Sequence, residues 1–572
     1  MPGVAASSPS ASLPALVRGF DLFSVFRTVA TTVPDQELLV RGDLRLTYGR
    51  VEEDVEALAR FLAGRGLGCH TEREELAGHE SGQDHVGLYL HNGPEYLEAM
   101  IASYRARAVP VNVNYRYVAE ELAYVLVDAG TRALVFHSCF APQVAHVRDL
   151  VPTLDLLVQV PDDSKHDLLP GAVWWEDALA TGREDARPLP QPTGDDLYVV
   201  YTGGTTGMPK GVLWRQDDMY VTSMGGTPFG TTEPYTSYEQ IAENARNAAG
   251  GMTLLMALPF MHGAAQWSTF HMITSGGRIV LPEDARSFDA RAVLETVVSE
   301  KCVSLPVVGD AMVRPLIAEL ETREHDLSGL AAVNNGAAPL SPAVRARLME
   351  LLPHIIVMDA AGSSETGLQM SSMSLKGMEA EAATFSPVPT TAVVSEDMSR
   401  VVVPGEEQGS GGGWLAQRGR VPLGYLGDAE KTARTFPMIA GERFSVPGDR
   451  AEMLPDGRIR LLGRDGVTIN SGGEKIFAEE VERAVGAHPA VRDVVVVGRP
   501  SERWGSEPVA VLSLAEGSED VSDDDLLSVA AEHIARYKLP KAFLRVEHVV
   551  RSPSGKADYR WAKEQAEEHT GA

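Results

Sequence analysis

The densest chemistry in the chain lies in one run, Tyr201-Thr-Gly-Gly-Thr-Thr-Gly-Met-Pro-Lys-Gly211. Gly203, Gly204, Gly207 and Gly211 let backbone amides approach a polyanion closely, Thr202, Thr205 and Thr206 add hydroxyl donors, and Lys210 supplies the one full positive charge. That combination suits a polyphosphate. It is not a Walker loop, because Lys210 follows Pro209 and precedes Gly211, whereas that motif needs Gly-Lys-Ser/Thr opening a helix. Nor is it a dinucleotide fingerprint. A merely flexible hairpin would need neither the hydroxyls nor the terminal lysine.

Such a loop must be held between rigid elements. LYVV before it and VLW after it read as strands. Over the first three quarters of the chain, β-branched segments such as RALVFHS, GRIVLPE and VSLPVV alternate with segments of helical period such as AVLETVVSEKC, the rhythm of strand and crossover-helix units in mostly parallel sheets. From about residue 385 to 463, TTAVVSEDMSRVVV and WLAQRG around a Gly-rich stretch predict a smaller, more antiparallel, barrel-like unit. The remainder, 468–572, reads as a compact α+β unit. It holds an amphipathic helix FAEEVERAVGAHP, strands VRDVVVVGRP and PVAVLSL, and a helix DDDLLSVAAEHIARYK. The fold class expected is α/β: a large domain over 21–463, a hinge at 464–467 and a small mobile α+β domain.

The bulk properties set limits. A chain of 572 residues exceeds one ordinary core. Its 51 basic against 79 acidic residues give a net charge of −28, which would repel a nucleic-acid backbone. No apolar run is long enough to span a membrane. Residues 1–20 lack the charged start and apolar block of a secretory signal, so a disordered leader and a cytoplasmic protein are expected. Cys69, Cys139 and Cys302 are too few and too scattered for a disulfide framework and are read as core thiols. The acidic run 516–525 reads as a solvated helix entrance.

Beyond the loop stand PFMHGAAQW (259–267), NNGAAPLSP (334–342), GSSETG (362–367), GYLGDAEKTARTF (424–436), PGDRAEMLPDGRIRLLGRDG (447–466), INSGGEKIFAEEVE (469–482) and SPSGKADYR (552–560). With the phosphate loop, these resemble the adenylate-forming superfamily of acyl-CoA synthetases, nonribosomal adenylation domains and luciferases, in the family's order and over nearly the whole chain from about residue 30. The bacterial fatty-acid and steroid-acid CoA ligases are the nearest in flavour. The resemblance implies an enzyme that joins a carboxylate to ATP as an acyl-adenylate, releasing pyrophosphate, and then transfers the acyl group to coenzyme A.

It also implies roles. The loop from Thr202 to Lys210 would hold the phosphates, Gly336-Ala337-Ala338-Pro339 and Ala361-Gly362-Ser363-Ser364 would flank the nucleotide, and Glu365 would hold magnesium. Ala361 stands where the family usually has an aromatic residue that stacks on adenine. Asp449 would accept hydrogen bonds from the ribose hydroxyls, Arg464 would contact ribose and phosphate, and Lys556 would reach both the substrate carboxylate and the α-phosphate. Pocket-lining positions are His262, Trp267, Val308, Gly309, Asp310, Asn335 and Gly336. After rotation of the C-terminal unit, Gly472-Gly473-Glu474-Lys475 would line the pantetheine tunnel. The partner is a small carboxylic acid or related anion, and the state is monomer or symmetric dimer. Alternatives within the same fold are activation of nitrite for transfer to an aryl amine, or loading of a carrier protein. A luciferase-like oxygenase fits less well, and a non-enzymatic binding module would not need the full set of charged residues.

Overall fold

The computed structural model describes residues 19–202, 208–228, 230–248, 250–406, 412–471, 474–501, 505–518, 520–551 and 555–569. Most of the expected leader, 1–18, lies outside these. Its last residues do not behave as a leader: Gly19 and Phe20 donate backbone hydrogen bonds to Asp217 Oδ1 at 3.1 and 3.0 Å, and Phe20 is buried.

The β-branched runs become parallel strands. His85–Tyr89, buried along its whole length, lies between Val109–Asn112 and Thr131–His137 in a five-stranded parallel sheet completed by Leu156–Val160 and Val173–Trp174. A run without polar alternation is what a sheet covered on both faces requires. In a second, larger sheet Glu37–Arg41, Arg278–Val280, Thr253–Leu255, Ser304–Val307, Ala332–Asn335 and Ile356–Ser363 lie side by side in parallel. Gly367–Ser374 then turns back antiparallel on Ile356–Ser363. The antiparallel strands expected over 385–463 do form, but not as a separate sheet. Thr384–Pro387 pairs with Gly367–Ser374 on one side and Ile459–Arg464 on the other, so the ladder runs on through fifteen strands among the described residues.

A three-stranded antiparallel sheet, Gly424–Tyr425, Lys210–Arg215 and Leu197–Thr202, carries the phosphate loop. Asn112 braces it. Its side-chain amide donates to Tyr201 O (2.9 Å) and Met261 O (2.6 Å) and accepts from Tyr201 N (2.7 Å), which satisfies three backbone groups from two segments at once.

In the C-terminal part, Val491–Ser501 pairs antiparallel with Gly505–Leu514, which pairs in parallel with Ala542–Arg545; helices Ala478–Gly486, Asp523–His533 and Tyr559–Glu568 pack around them. The expected helix through residue 538 stops at His533. Ile534 turns extended and its side chain joins the C-terminal core, leaving only a short 3-10 turn at Arg536–Lys538. The acidic run does open that helix: Ser522 and Asp525 form a capping box, with Asp523 and Asp524 in the first turn, where carboxylates are favoured. Cys302 is buried, whereas Cys69 and Cys139 are only partly so, because they lie in a loop and a 3-10 turn at the margins of the sheets. Among the described residues no helix is long and apolar enough to cross a membrane.

Candidate active site

Strand pairing sets Thr202 directly opposite Lys210, so the two ends of the phosphate loop are held side by side. Gly203, Gly204, Thr205, Thr206 and Gly207 lie outside the described residues. The exit of the loop needs glycine: a Cβ at Gly211 would come within 2.7 Å of the Tyr201 ring. That ring is fixed by its hydroxyl, which donates to Asp128 Oδ2 at 2.8 Å. The Lys210 ammonium lies 3.8 Å from Asp428 Oδ2.

Glu365 sits at the tip of the hairpin between Ile356–Ser363 and Gly367–Ser374. The hairpin is too tight for a side chain at Gly362, where a Cβ would fall 2.1 Å from Gly367 O. Its tip is pinned from outside: Trp214 Nε1 donates to Ser364 O (2.8 Å) and the Ser445 hydroxyl donates to Glu365 O (2.6 Å). The Tyr425 hydroxyl donates to Glu365 Oε1 at 2.7 Å, and among the described residues no hydrogen bond reaches Oε2. Ala361, two residues before the end of its strand, packs against the small core around Met370 and offers no ring to a base.

Asp449 and Arg464 are register partners across an antiparallel pair, with Arg464 Nε 3.2 Å from Asp449 Oδ1. Burial works against the Arg464 cation, but the carboxylates of Asp449, Glu365 and Glu479 outweigh it and hold its pKa above the ordinary arginine value. Arg464 N also donates to Glu479 Oε1 (3.2 Å), so the strand before the expected hinge is tied to the first helix of the C-terminal part. The chain then turns through a short 3-10 segment, Asp465–Val467.

Lys556 comes to the same place from the far end of the chain. Its pKa lies below the ordinary lysine value, first because it is buried and then because Arg464 repels it, while Glu365 and Asp449 pull the other way. Gly555 beside it packs on the pocket wall: a Cβ there would lie 3.2 Å from Val308 Cγ1 and 3.9 Å from Ala338 Cβ. His262, which precedes helix Gly263–Thr274, faces this cluster too. Burial, then the Lys556 and Arg116 cations, push its pKa down to about 4, so it is neutral at pH 7; its Nε2 is buried without a hydrogen-bond partner among the described residues.

The remaining pocket residues divide. Trp267 packs on Gly263 and donates through Nε1 to the Tyr198 hydroxyl (3.1 Å). Gly309 has φ +54° and lies so close to the 336–339 turn that a Cβ would reach 2.6 Å from Pro339 O. Ala337, at φ 64°, makes that turn left-handed, and Ala338 N donates to Gly336 O. Two expected lining residues have side chains engaged as braces. Asn335 is buried, accepting from Gly309 N (2.7 Å) and donating to Ala338 O (3.0 Å) and Asp359 Oδ1 (2.8 Å). The Asp310 carboxylate is taken up by Ser341 N, the Ser341 hydroxyl and Arg314, at 2.8 to 2.9 Å. Of the expected tunnel loop, Gly472 and Gly473 lie outside the described residues, and Glu474 and Lys475 are described only as backbone of the strand Glu474–Ile476.

Sequence reading passed over several contributors. Tyr425 and Asp428 lie inside a quoted motif, yet nothing local marks Tyr425 as the partner of Glu365. Asn112, Trp214 and Ser445 act from elsewhere in the chain, through contacts that no spacing rule reports.

A fold of parallel sheets whose loops gather a lysine, an arginine and two carboxylates near the strands that flank the Gly/Thr-rich run suits a nucleotide-dependent acid-activating enzyme. Two family models match: one described as AMP-binding enzyme over residues 26–425 and one described as AMP-binding enzyme C-terminal domain over 480–556. The chain is 54% identical to the medium-chain acyl-CoA ligase Mig of Mycobacterium avium, covering 96% of this chain and 98% of that one. It is 38% identical to the 3-oxocholest-4-en-26-oate–CoA ligase of Rhodococcus rhodochrous, covering 93% of each. In structure it is similar to ATP-bound MatB from Rhodopseudomonas palustris, with TM-score 0.76 and 19% identity over 95% of this chain and 98% of that one. It is also similar to the anthranilate CoA ligase AuaEII with anthranoyl-AMP, with TM-score 0.75 and 20% identity over 96% and 98%. The chain belongs to the AMP-binding enzyme family and is an ATP-dependent, AMP-forming acyl-CoA ligase.

Proposed function

We propose that the enzyme activates a medium-chain or bulkier apolar carboxylic acid, in the cytoplasm, and that one cluster serves the adenylation step: Lys556, Arg464, Asp449, Glu365 and His262, with the loop 202–210. The observation that carries this is the convergence of Lys556 with Arg464, Asp449 and Glu365 from three distant parts of the chain. In adenylation the substrate carboxylate oxygen bonds to the α-phosphorus while the bond to the pyrophosphate oxygen breaks. Negative charge accumulates on the α-phosphate oxygens and on the leaving group, so fixed cations give the largest return. Lys556, a compact ammonium on a flexible stem, bridges carboxylate and α-phosphate. Arg464 adds a second cation and is held in line by Asp449, whose other oxygen remains for a ribose hydroxyl. Neutral His262 offers the carboxylate or its product a hydrogen bond without competing for charge.

Glu365 is the residue that fits magnesium. Its Oε2 is free of hydrogen bonds among the described residues, and one carboxylate plus polyphosphate oxygens satisfies that ion, so the absence of any three-ligand cluster among the described residues is no obstacle. When bound, the ion would neutralise part of the polyphosphate charge.

The second step needs a different wall. Rotation about 464–467 would withdraw Lys556 and bring Gly472-Gly473-Glu474-Lys475 to the acyl site, opening a path for the coenzyme A thiol. Supporting this, Arg464 joins both parts through Asp449 and Glu479, so the junction sits at the site itself. The substrate class is supported by Gly336, where a Cβ would meet nothing nearer than Ala360 O at 3.8 Å, and by the apolar acids that the relatives' names specify. The test is AMP formation with coenzyme A across a panel of short, medium-chain, long-chain, steroid and aryl acids. Highest kcat/KM on medium-chain or steroid acids is expected; highest activity on acetate or a small polar acid would overturn the assignment.

A further inference from the structure

In the adenylation reading above Lys556 and Arg464 are assigned to the α-phosphate, which leaves Lys210 as the one cation so far assigned near the leaving pyrophosphate. A second ammonium stands beside it. Lys431 is half-buried on the short helix Ala429–Thr435, its Nζ held 3.9 Å from the centroid of the Tyr425 ring, whose hydroxyl is bonded to Glu365. Asp428 ties the two lysines together: its Oδ1 accepts from Lys431 N (2.9 Å) and its Oδ2 faces Lys210 Nζ (3.8 Å). Among the described residues no carboxylate lies within ion-pair distance of the Lys431 ammonium. Its charge senses Glu365, Asp428 and Lys210. A half-buried cation without an ion pair, set against an aromatic face next to the end of a phosphate loop, is in an unfavourable position that an incoming polyanion relieves.

We propose that Lys431 is a second binding cation for the β- and γ-phosphates of ATP and for the departing pyrophosphate, with Tyr425 setting both Lys431 and Glu365 in position. The assignment rests on the adenylation reading above. It deepens that reading by dividing the cations into two groups: Lys556 and Arg464 for the bond that forms, Lys210 and Lys431 for the group that leaves. No proton moves at Lys431, and its part is electrostatic.

The experiment is ATP–pyrophosphate exchange with an acid that the wild type turns over, alongside thioesterification of a supplied acyl-adenylate, which carries no pyrophosphate. Lys431→Met is expected to raise the KM for pyrophosphate about tenfold or more, the scale of one lost charge-assisted hydrogen bond, while thioesterification keeps its rate. Lys431→Arg, which keeps the charge, is expected to recover most of the pyrophosphate affinity. An unchanged pyrophosphate KM in Lys431→Met would overturn the proposal, as would equal loss in both half-reactions, since that marks a structural role. Wild-type enzyme that exchanges no pyrophosphate with any acid would instead overturn the adenylation reading itself.

Discussion

Arg464 Nε lies 3.2 Å from Asp449 Oδ1, across a strand pair whose far end leads into the C-terminal part of the chain. On the proposed assignment, the pair would couple nucleotide binding to the position of Lys556. Asp449→Asn keeps the shape of the side chain but removes the charge that holds Arg464. The expected result is a rise of about tenfold to a hundredfold in the KM for ATP, with a smaller change in the KM for the acid. Equal changes in both would place Asp449 away from the nucleotide.

Tyr425 presents its hydroxyl to Glu365 and its ring to Lys431. Tyr425→Phe deletes one hydrogen bond and leaves the ring packed on Phe436. Adenylation is expected to slow about tenfold, through loss of a hydrogen bond to a charged acceptor, while thermal stability changes little. Pyrophosphate exchange and a melting curve on the same sample separate the two effects.

In its proposed role Lys556 acts as a cation, and burial followed by repulsion from Arg464 pulls its pKa below the usual lysine value of about 10.4. The ammonium then loses its proton at a lower pH than an ordinary lysine, so adenylation falls on an alkaline limb below that value. Removing the neighbouring cation in Arg464→Leu lowers the rate, yet its limb is expected to move up in pH. A limb that stays in place would show that another group titrates there.

Glu482 gives a prediction about stability. Burial, then the nearby Glu479 carboxylate, pushes its pKa up to about 8, against about 4.3 in an unfolded chain. The folded state thus binds the extra proton between those values, and stability falls as pH rises through that window, then levels off above about pH 8. Glu482→Gln can keep the acceptor for Val496 N, bonded at 2.8 Å in the native protein, without the ionisable group. Its melting temperature is expected to exceed that of the wild type at pH 8 to 9, with the gap closing toward about pH 5. A constant gap would assign Glu482 a role unrelated to its proton.

The parts of the site that were legible in sequence are those whose chemistry is local. Spacing of Gly, Thr and Lys in 201–211 needs no knowledge of the fold, whereas Glu365, Asp449, Arg464 and Lys556 are singled out only by the family resemblance of the motifs that hold them. What spacing could not show was which long-range partner completes each group. Tyr425 reaches Glu365 across 60 residues and Asn112 reaches Tyr201 across 89, so neither pairing leaves a periodic trace. Asp310 and Asn335 were expected on the pocket wall through the family resemblance alone, which does not show that the fold engages their side chains with Ser341, Arg314, Gly309 and Asp359. The helix ending at His533 failed its expected length for a similar reason, since burial of Ile534 in the C-terminal core overrides a helical pattern that continues in sequence.

The central claim is that Lys556 belongs to the first half-reaction and leaves the site for the second. Measuring both halves separately in Lys556→Ala tests it most directly. Pyrophosphate exchange is expected to fall about a hundredfold to a thousandfold, the scale of removing one preorganised charge from a transition state, while coenzyme A still consumes a supplied acyl-adenylate at near the wild-type rate. Equal loss of the two half-reactions would contradict it.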